Sequence, residues 1–168
     1  MNSNLNVSDL FEMAMLIEQD GYAFYTVSAK KLNDIKLISF FHFLAEEEMK
    51  HEKNLKKIKN RIESFVQIKS LPKEYNKNIK KYLDSLTPQK NINLNKKIEE
   101  LSSVDDALNL ALEFEKDSII FYSILKTVID NDLNPIIDEI ISEEIGHILK
   151  IYEYKTTGLP EPEDKHST

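Results

Sequence analysis

The 168 residues include no cysteine, are 41% hydrophobic and 30% charged, and carry a formal charge of −7; this is the profile of one globular domain with enough chain for a real core. Disulfides, thiolate metal sites and iron–sulfur centres are excluded, no apolar run approaches the ~18 residues of a membrane span, and the acidic balance argues against a nucleic-acid partner. The opening MNSNLNVSDLFEMAM has neither a basic segment nor a signal-type apolar run, so a cytoplasmic protein without membrane attachment is expected.

Glycine is rare, at three residues, and apolar residues recur at helical spacing, so the chain is predicted to be nearly all helix. A first helix runs from about Ser8 to Leu32 with the stripe Phe11, Ala14, Glu18, Tyr25, Leu32. After a break at Asn33-Asp34, a second reaches about Phe65, with the stripe Leu37, Phe41, Leu44, Glu48, His51, Leu55, Ile58, Ile62. The segment from about 63 to 102 holds Pro72 and Pro88. With the later half of helix 2 it is lysine-rich: 14 of the 22 basic residues lie between Lys50 and Lys97, read as a solvated outer face. A third helix opens at Ser103-x-x-Asp106, a capping-box-like start, and continues to about Ile129 with Leu108, Ala111, Glu115, Ser118, Tyr122, Leu125 on one face. Asn134-Pro135 supplies an N-cap and a first-turn proline for a fourth helix, which carries Ile137, Ile140, Glu144, His147, Ile151 and Tyr154 and stops near Thr157, before Gly158 and two prolines.

Short connections make helices 1–2 and 3–4 antiparallel hairpins. A helix of ~30 residues is about 45 Å long, so a connection the size of 63–102 can return along it, as a bundle with one long crossover requires. The expected fold is therefore all-α, a four-helix bundle of two antiparallel hairpins over residues 1–157, with 158–168 as a flexible tail.

Glu18 and Glu115 are 97 positions apart, and Glu48–His51 and Glu144–His147 are each separated by 96, so the chain reads as one hairpin written twice. Every stripe is core-like except at these six residues. A buried unpaired carboxylate is costly and normally takes up a proton; four converging ones are balanced by two divalent cations. In each Glu-x-x-His the side chains share one helix face, and oxygen-rich ligands with one imidazole per metal suit iron or manganese better than a soft metal, with zinc as an in vitro substitute. A third Glu-x-x-His, Glu163–His166, falls in the proline-rich tail and is read as coincidence; His42 lies off its stripe and is read as a surface residue.

The segments IEQDGYAFY, LAEEEMKHEKNL, LEFEKDSIIFY and SEEIGHILKIYE, in that order, resemble the rubrerythrin-type branch of the ferritin-like superfamily over roughly 8–65 and 104–157. The resemblance implies a ferritin-like four-helix bundle with a di-iron carboxylate centre. By that match Glu18 and Glu115 are terminal ligands, Glu48 and Glu144 bridge, and His51 and His147 each cap one iron. Two departures matter. Rubrerythrins proper have an additional glutamate where this chain has Ser118, so the ligand set is the symmetric one of bacterioferritin. They also carry a four-cysteine rubredoxin domain, absent here, which makes the electron donor a separate protein such as a rubredoxin.

Tyr25 and Tyr122 each lie seven residues after a lone glutamate. They are read both as space-filling aromatics and as tentative catalytic residues that hydrogen-bond a ligand carboxylate or relay an electron. Gly21 and Ser118, one turn after those glutamates, leave room either for dioxygen or peroxide or for close helix packing; Gly146 is read as permitting close approach, and Met49 as packing. Phe40 and Phe43 are expected to be exposed and to favour a homodimer. The reaction the resemblance implies is reduction of hydrogen peroxide or dioxygen by two iron ions. The alternatives are a ferroxidase or iron-storage protein and a metal-free helical interaction module; GLPEPEDKHST does not look like the further helix a storage cage needs.

Overall fold

The structure, a computed structural model, describes residues 6–65, 81, 96–129 and 131–158. Most of the crossover expected at about 63–102, the tail beyond Gly158, and Glu163–His166 lie outside the described residues. Among the described residues the long helices are α1 (Val7–Ala29), α2 (Ile35–Phe65), α3 (Val104–Val128) and α4 (Asn134–Thr157).

Local chemistry sets each start. Asn6 and Asp9 form a reciprocal capping box on α1: the Asn6 side chain accepts from the Asp9 N–H at 3.0 Å and the Asp9 carboxylate from the Asn6 N–H at 2.8 Å. Asp34 accepts from the N–H groups of Lys36 and Leu37 at 2.8 and 3.1 Å, which opens α2 and holds the Asp34 carboxyl below its ordinary range. Ser103 caps α3 through the Asp106 N–H at 3.1 Å. Asp106 does not close the box on Ser103, since its carboxylate turns to the Ser102 N–H and hydroxyl. The start of α4 differs from the sequence reading. A 3₁₀ turn over Asn131–Leu133 leads in, Leu133 occupies the cap position without a side-chain bond, and Asn134 is already helical, with the proline in the first turn. Leu133 is buried, so apolar packing fixes this entry where a polar cap was expected. Gly158, at φ 70°, ends α4 in the left-handed conformation that favours glycine.

The core falls into two clusters. One joins the end of α1 (Phe24, Tyr25, Ala29), the start of α2 (Leu37, Phe40, Phe41, Leu44), the start of α3 (Ala107 to Leu112) and the end of α4 (Ile151, Tyr154). The other joins the start of α1 (Val7, Leu10, Phe11), the later part of α2 (Leu55, Ile58), the end of α3 (Phe121, Tyr122, Leu125) and the start of α4 (Ile137, Ile140). The start of α1 thus meets the end of α3, and the start of α2 the end of α4, while α2 and α3 begin at the same end. That is the topology of two antiparallel hairpins joined by a connection that runs the length of the bundle. The far end of that connection is anchored: Ile98 is buried in the first cluster, and Lys31 donates to its carbonyl at 2.6 Å.

Aromatic contacts tie the hairpins together at that end. Phe24 of α1 stacks on Phe114 of α3 at 4.9 Å, and Phe40 of α2 on Tyr154 of α4 at 6.0 Å. Phe40 is therefore buried, and Phe43 is partly buried against the same cluster, contrary to the exposed pair expected from the sequence. The apolar stripe of α2 is wide enough that both fall on its inner side. Among the described residues no helix is long and apolar enough to cross a membrane.

Candidate metal centre

Between the two clusters lies a polar layer. Glu18, Glu48, His51, Glu115, Glu144 and His147 are all at most 3% exposed, at mid-length in their helices. The sequence places them there because each occupies a core position of an apolar stripe, where only burial is possible once the bundle closes.

Donor atoms of Glu18, Glu48, His51 and Glu144 lie within 4.8 Å of one another, and so do those of Glu115, Glu144 and His147. Glu144 belongs to both sets. His51 turns Nδ1 toward Glu18 at 3.4 Å and Glu144 at 3.2 Å; His147 turns Nδ1 toward Glu144 at 3.1 Å and Glu115 at 3.4 Å. The near-symmetry of the sequence repeat thus appears in space, with one deviation: Glu48, expected to bridge, falls with the first set alone.

Both oxygens of Glu18, Oε2 of Glu115, Oε1 of Glu144 and Nδ1 of His51 are buried without a hydrogen-bond partner among the described residues. Unmade hydrogen bonds of this kind cost ~1–3 kcal/mol each. All of them are metal-ligating atom types gathered in one layer, so the donor set fits a pair of hard or borderline divalent cations.

Without cations, protons take their place. Burial, then the charges of neighbouring glutamates, pushes Glu18 and Glu48 well above the ordinary carboxylate range, and burial and Glu144 push Glu115 up to about 8. Burial alone would lower both histidines, but the facing carboxylates outweigh it, raising His51 to about 9 and His147 to about 10. Burial would likewise raise Glu144; the imidazoles of His147 and His51 that face its two oxygens overcome this and hold it low. Cations must therefore displace protons. Metal affinity is expected to climb with pH through about 8, where Glu115 titrates, and on toward 9 and 10 with His51 and His147. Calorimetry at pH 7 in two buffers of different ionisation enthalpy should show proton release from several of these groups; binding indifferent to buffer and pH would contradict it.

The Tyr25 hydroxyl donates to Oε1 of Glu115 across the hairpins, and burial with that neighbouring charge raises the Tyr25 pKa well above its ordinary value. Tyr122 occupies the matching place, fully buried, yet its hydroxyl has no hydrogen-bond partner among the described residues. So a carboxylate contact of the kind read from the spacing exists at Tyr25, and among the described residues none exists at Tyr122.

Gly21 makes room for neither an oxidant nor a helix backbone. A Cβ there would sit 2.9 Å from Cδ and 3.0 Å from Oε1 of Glu48, so the space belongs to the Glu48 carboxylate. Gly21→Ala removes a mid-helix glycine, worth ~1 kcal/mol, and displaces only the end of a flexible side chain. The metal-free protein is expected to keep or slightly raise its melting temperature, while metal binding weakens because Glu48 is pushed aside. Melting curves with and without metal read both signs. At Gly146 a Cβ would meet nothing within 4 Å, so close packing is not its reason. Met49 is 37% exposed, which corrects its reading as a packing residue, and His42 is exposed as expected.

Sequence reasoning missed Glu143, which reaches from α4 to Nε2 of His51 at 2.8 Å while remaining 45% exposed. As one acidic residue among 29, it carried a single signal: its place immediately before a ligand glutamate.

A solved structure from Thermotoga maritima described as a ferritin-like diiron-carboxylate protein superposes with a TM-score of 0.68 at 23% identity, covering 95% of this chain and 100% of that one. At that identity the likeness shows the fold, a ferritin-like four-helix bundle. A search of curated proteins gives no match. The family comparison matches residues 9–103, which span α1, α2 and the crossover and make up more than half of the chain, to Rubrerythrin. With the second hairpin repeating the geometry of the first, the chain belongs to the rubrerythrin family.

Proposed function

We propose that this protein is a di-iron oxidoreductase of the peroxidase or ferroxidase type, reducing hydrogen peroxide or dioxygen in the cytoplasm with electrons from a separate donor protein such as a rubredoxin. The observation that carries this reading is the layer of unpartnered carboxylate and imidazole atoms sealed between two apolar clusters. Family membership supports iron as the metal.

Glu18, Glu48, His51 and Glu144 would hold one iron, and Glu115, Glu144 and His147 the other. When bound, the iron pair would supply the electron steps of the reaction. The chain does the rest. Its carboxylates offset the cation charge, so little net charge is buried. Phe11, Leu55 and Tyr122 on one side, and Tyr25, Phe41 and Leu44 on the other, keep bulk water from the layer. Tyr25 fixes the orientation of Glu115 through its hydroxyl. Peroxide reduction consumes two electrons and two protons per molecule and yields two waters, which is why a donor partner is required. A homodimer remains part of this proposal, though the buried Phe40 does not contribute to it.

The test is iron bound per chain after anaerobic Fe(II) loading. The wild type is expected to hold about two irons, and Glu115→Ala and His147→Ala each to lose at least one. Peroxide and dioxygen consumption by the loaded protein then separates the oxidants. Absence of stoichiometric iron, or uptake indifferent to both substitutions, would sink the reading.

A further inference from the structure

The repeat that relates the hairpins by 96 positions matches Glu47 with Glu143 and Lys50 with Gly146. The two glutamates stand immediately before Glu48 and Glu144, yet they behave differently. Glu143 accepts at 2.8 Å from Nε2 of His51, in the other hairpin. Glu47 is instead engaged by Lys50, its neighbour one turn along α2. Among the described residues no carboxylate stands at Nε2 of His147, whose ring lies edge-on to Phe43 at 6.1 Å. The cause is legible in the chain. At the place of Lys50 the second hairpin has Gly146, so no cation one turn away competes for Glu143. Packing does not demand that glycine, since a Cβ there would meet nothing within 4 Å.

We infer that the two metal positions are unequal, with Glu143 a positioning residue that makes the His51 position the tighter one and the Lys50/Gly146 difference setting the asymmetry. This rests on the di-metal reading. A carboxylate on the far nitrogen of a ligand imidazole fixes its tautomer, aims the near nitrogen and strengthens it as a donor; such partners are worth ~10–100-fold in metal affinity. Two further features point the same way. The His51 set gathers four residues and the His147 set three. Glu115 of the second set has one oxygen committed to the Tyr25 hydroxyl, whereas among the described residues no group from outside the layer donates to either oxygen of Glu18 in the first.

The experiment is an anaerobic Co(II) titration of the full chain, followed by calorimetry and by the visible absorbance of the bound ion. Wild type should bind in two steps separated by ~10-fold or more. His51→Ala should remove the tighter step and His147→Ala the weaker. Glu143→Gln should weaken the tighter step ~10-fold and alter its absorbance while sparing the weaker one; a merely structural loss would weaken both. Gly146→Lys, which the open space admits, should draw Glu143 away and act in the same direction. Lys50→Ala should free Glu47 for His147 and tighten the weaker step. Two equal steps in wild type, or a tighter step unmoved by Glu143→Gln and Gly146→Lys, would overturn the inference and leave the di-metal centre standing. No stoichiometric Co(II) at all would remove the di-metal reading itself.

Discussion

Glu144→Ala should empty both metal positions at once. Glu144 is the residue common to the two donor sets, with Oε1 at 3.2 Å from Nδ1 of His51 and Oε2 at 3.1 Å from Nδ1 of His147. Removing Glu115 or His147 strips one set; removing Glu144 strips the shared ligand of both. Iron per chain should fall from about two to well under one. The metal-free fold should suffer as well, because the two imidazoles that keep their protons to about 9 and 10 lose their common counter-ion. Breaking a buried ionic network by deleting one partner costs ~3–5 kcal/mol, a fall of about 6–20 °C in melting temperature for a chain of this size. Glu144→Gln keeps the shape and hydrogen-bonding reach and should lose the metals with a smaller thermal penalty. Retention of one full iron by either variant would show that Glu144 serves a single position.

Glu18→Leu should move stability the other way. Glu18 is fully buried, its oxygens face only His51 and the other carboxylates of the layer among the described residues, and burial holds its carboxyl well above the ordinary range. Its removal leaves His51 with Glu144 at 3.2 Å and Glu143 at 2.8 Å, so no imidazole is orphaned. Replacing such a group by an apolar side chain of similar size should stabilise the metal-free protein by ~2 kcal/mol, about 4–8 °C. The sign of the pH dependence follows from the raised pKa. Below the ordinary glutamate value of 4.5 the carboxyl is protonated in both states and its ionisation costs folding little. As pH rises above it, the unfolded chain ionises while the folded one holds its proton, so the wild type loses stability that the variant keeps. The advantage of Glu18→Leu should therefore widen from pH 4 to pH 7, with metal loading reduced throughout. A variant less stable than wild type at pH 7 without metal would show that Glu18 is satisfied by contacts of its own.

Much of this architecture is legible in the chain. A glutamate or histidine at a core position of an otherwise apolar stripe has few physical explanations, so the six residues of the layer and the four helices that carry them can be read from spacing. What eludes that reading depends on relations between helices. The stripe of α2 shows that Phe40 and Phe43 sit near its apolar face, but only the placement of Tyr154 and His147 on α4 buries the one and half-buries the other. Gly21 announces a need for space; that the occupant is the Glu48 carboxylate follows from how α1 and α2 cross. Glu143 is hidden for a different reason. A half-exposed glutamate on a helix is ordinary, and its role emerges from comparison with Glu47, which the lysine one turn away diverts. Tyr25 and Tyr122 look alike in sequence and differ in whether a carboxylate oxygen lies within reach.

The separation of the core into two apolar clusters by a polar layer bears on cooperativity. Each cluster draws on all four helices, but the layer between them gains little from burial while it holds protons in place of cations. In the metal-free chain the two ends of the bundle are thus joined chiefly by helix continuity, and each can open as its own unit with its own free energy. Cations bound by residues from all four helices would rivet the ends into one block, because opening either would then expose the ligands and forfeit the binding energy. Iron supply would in that way decide whether the bundle unfolds in one transition or two.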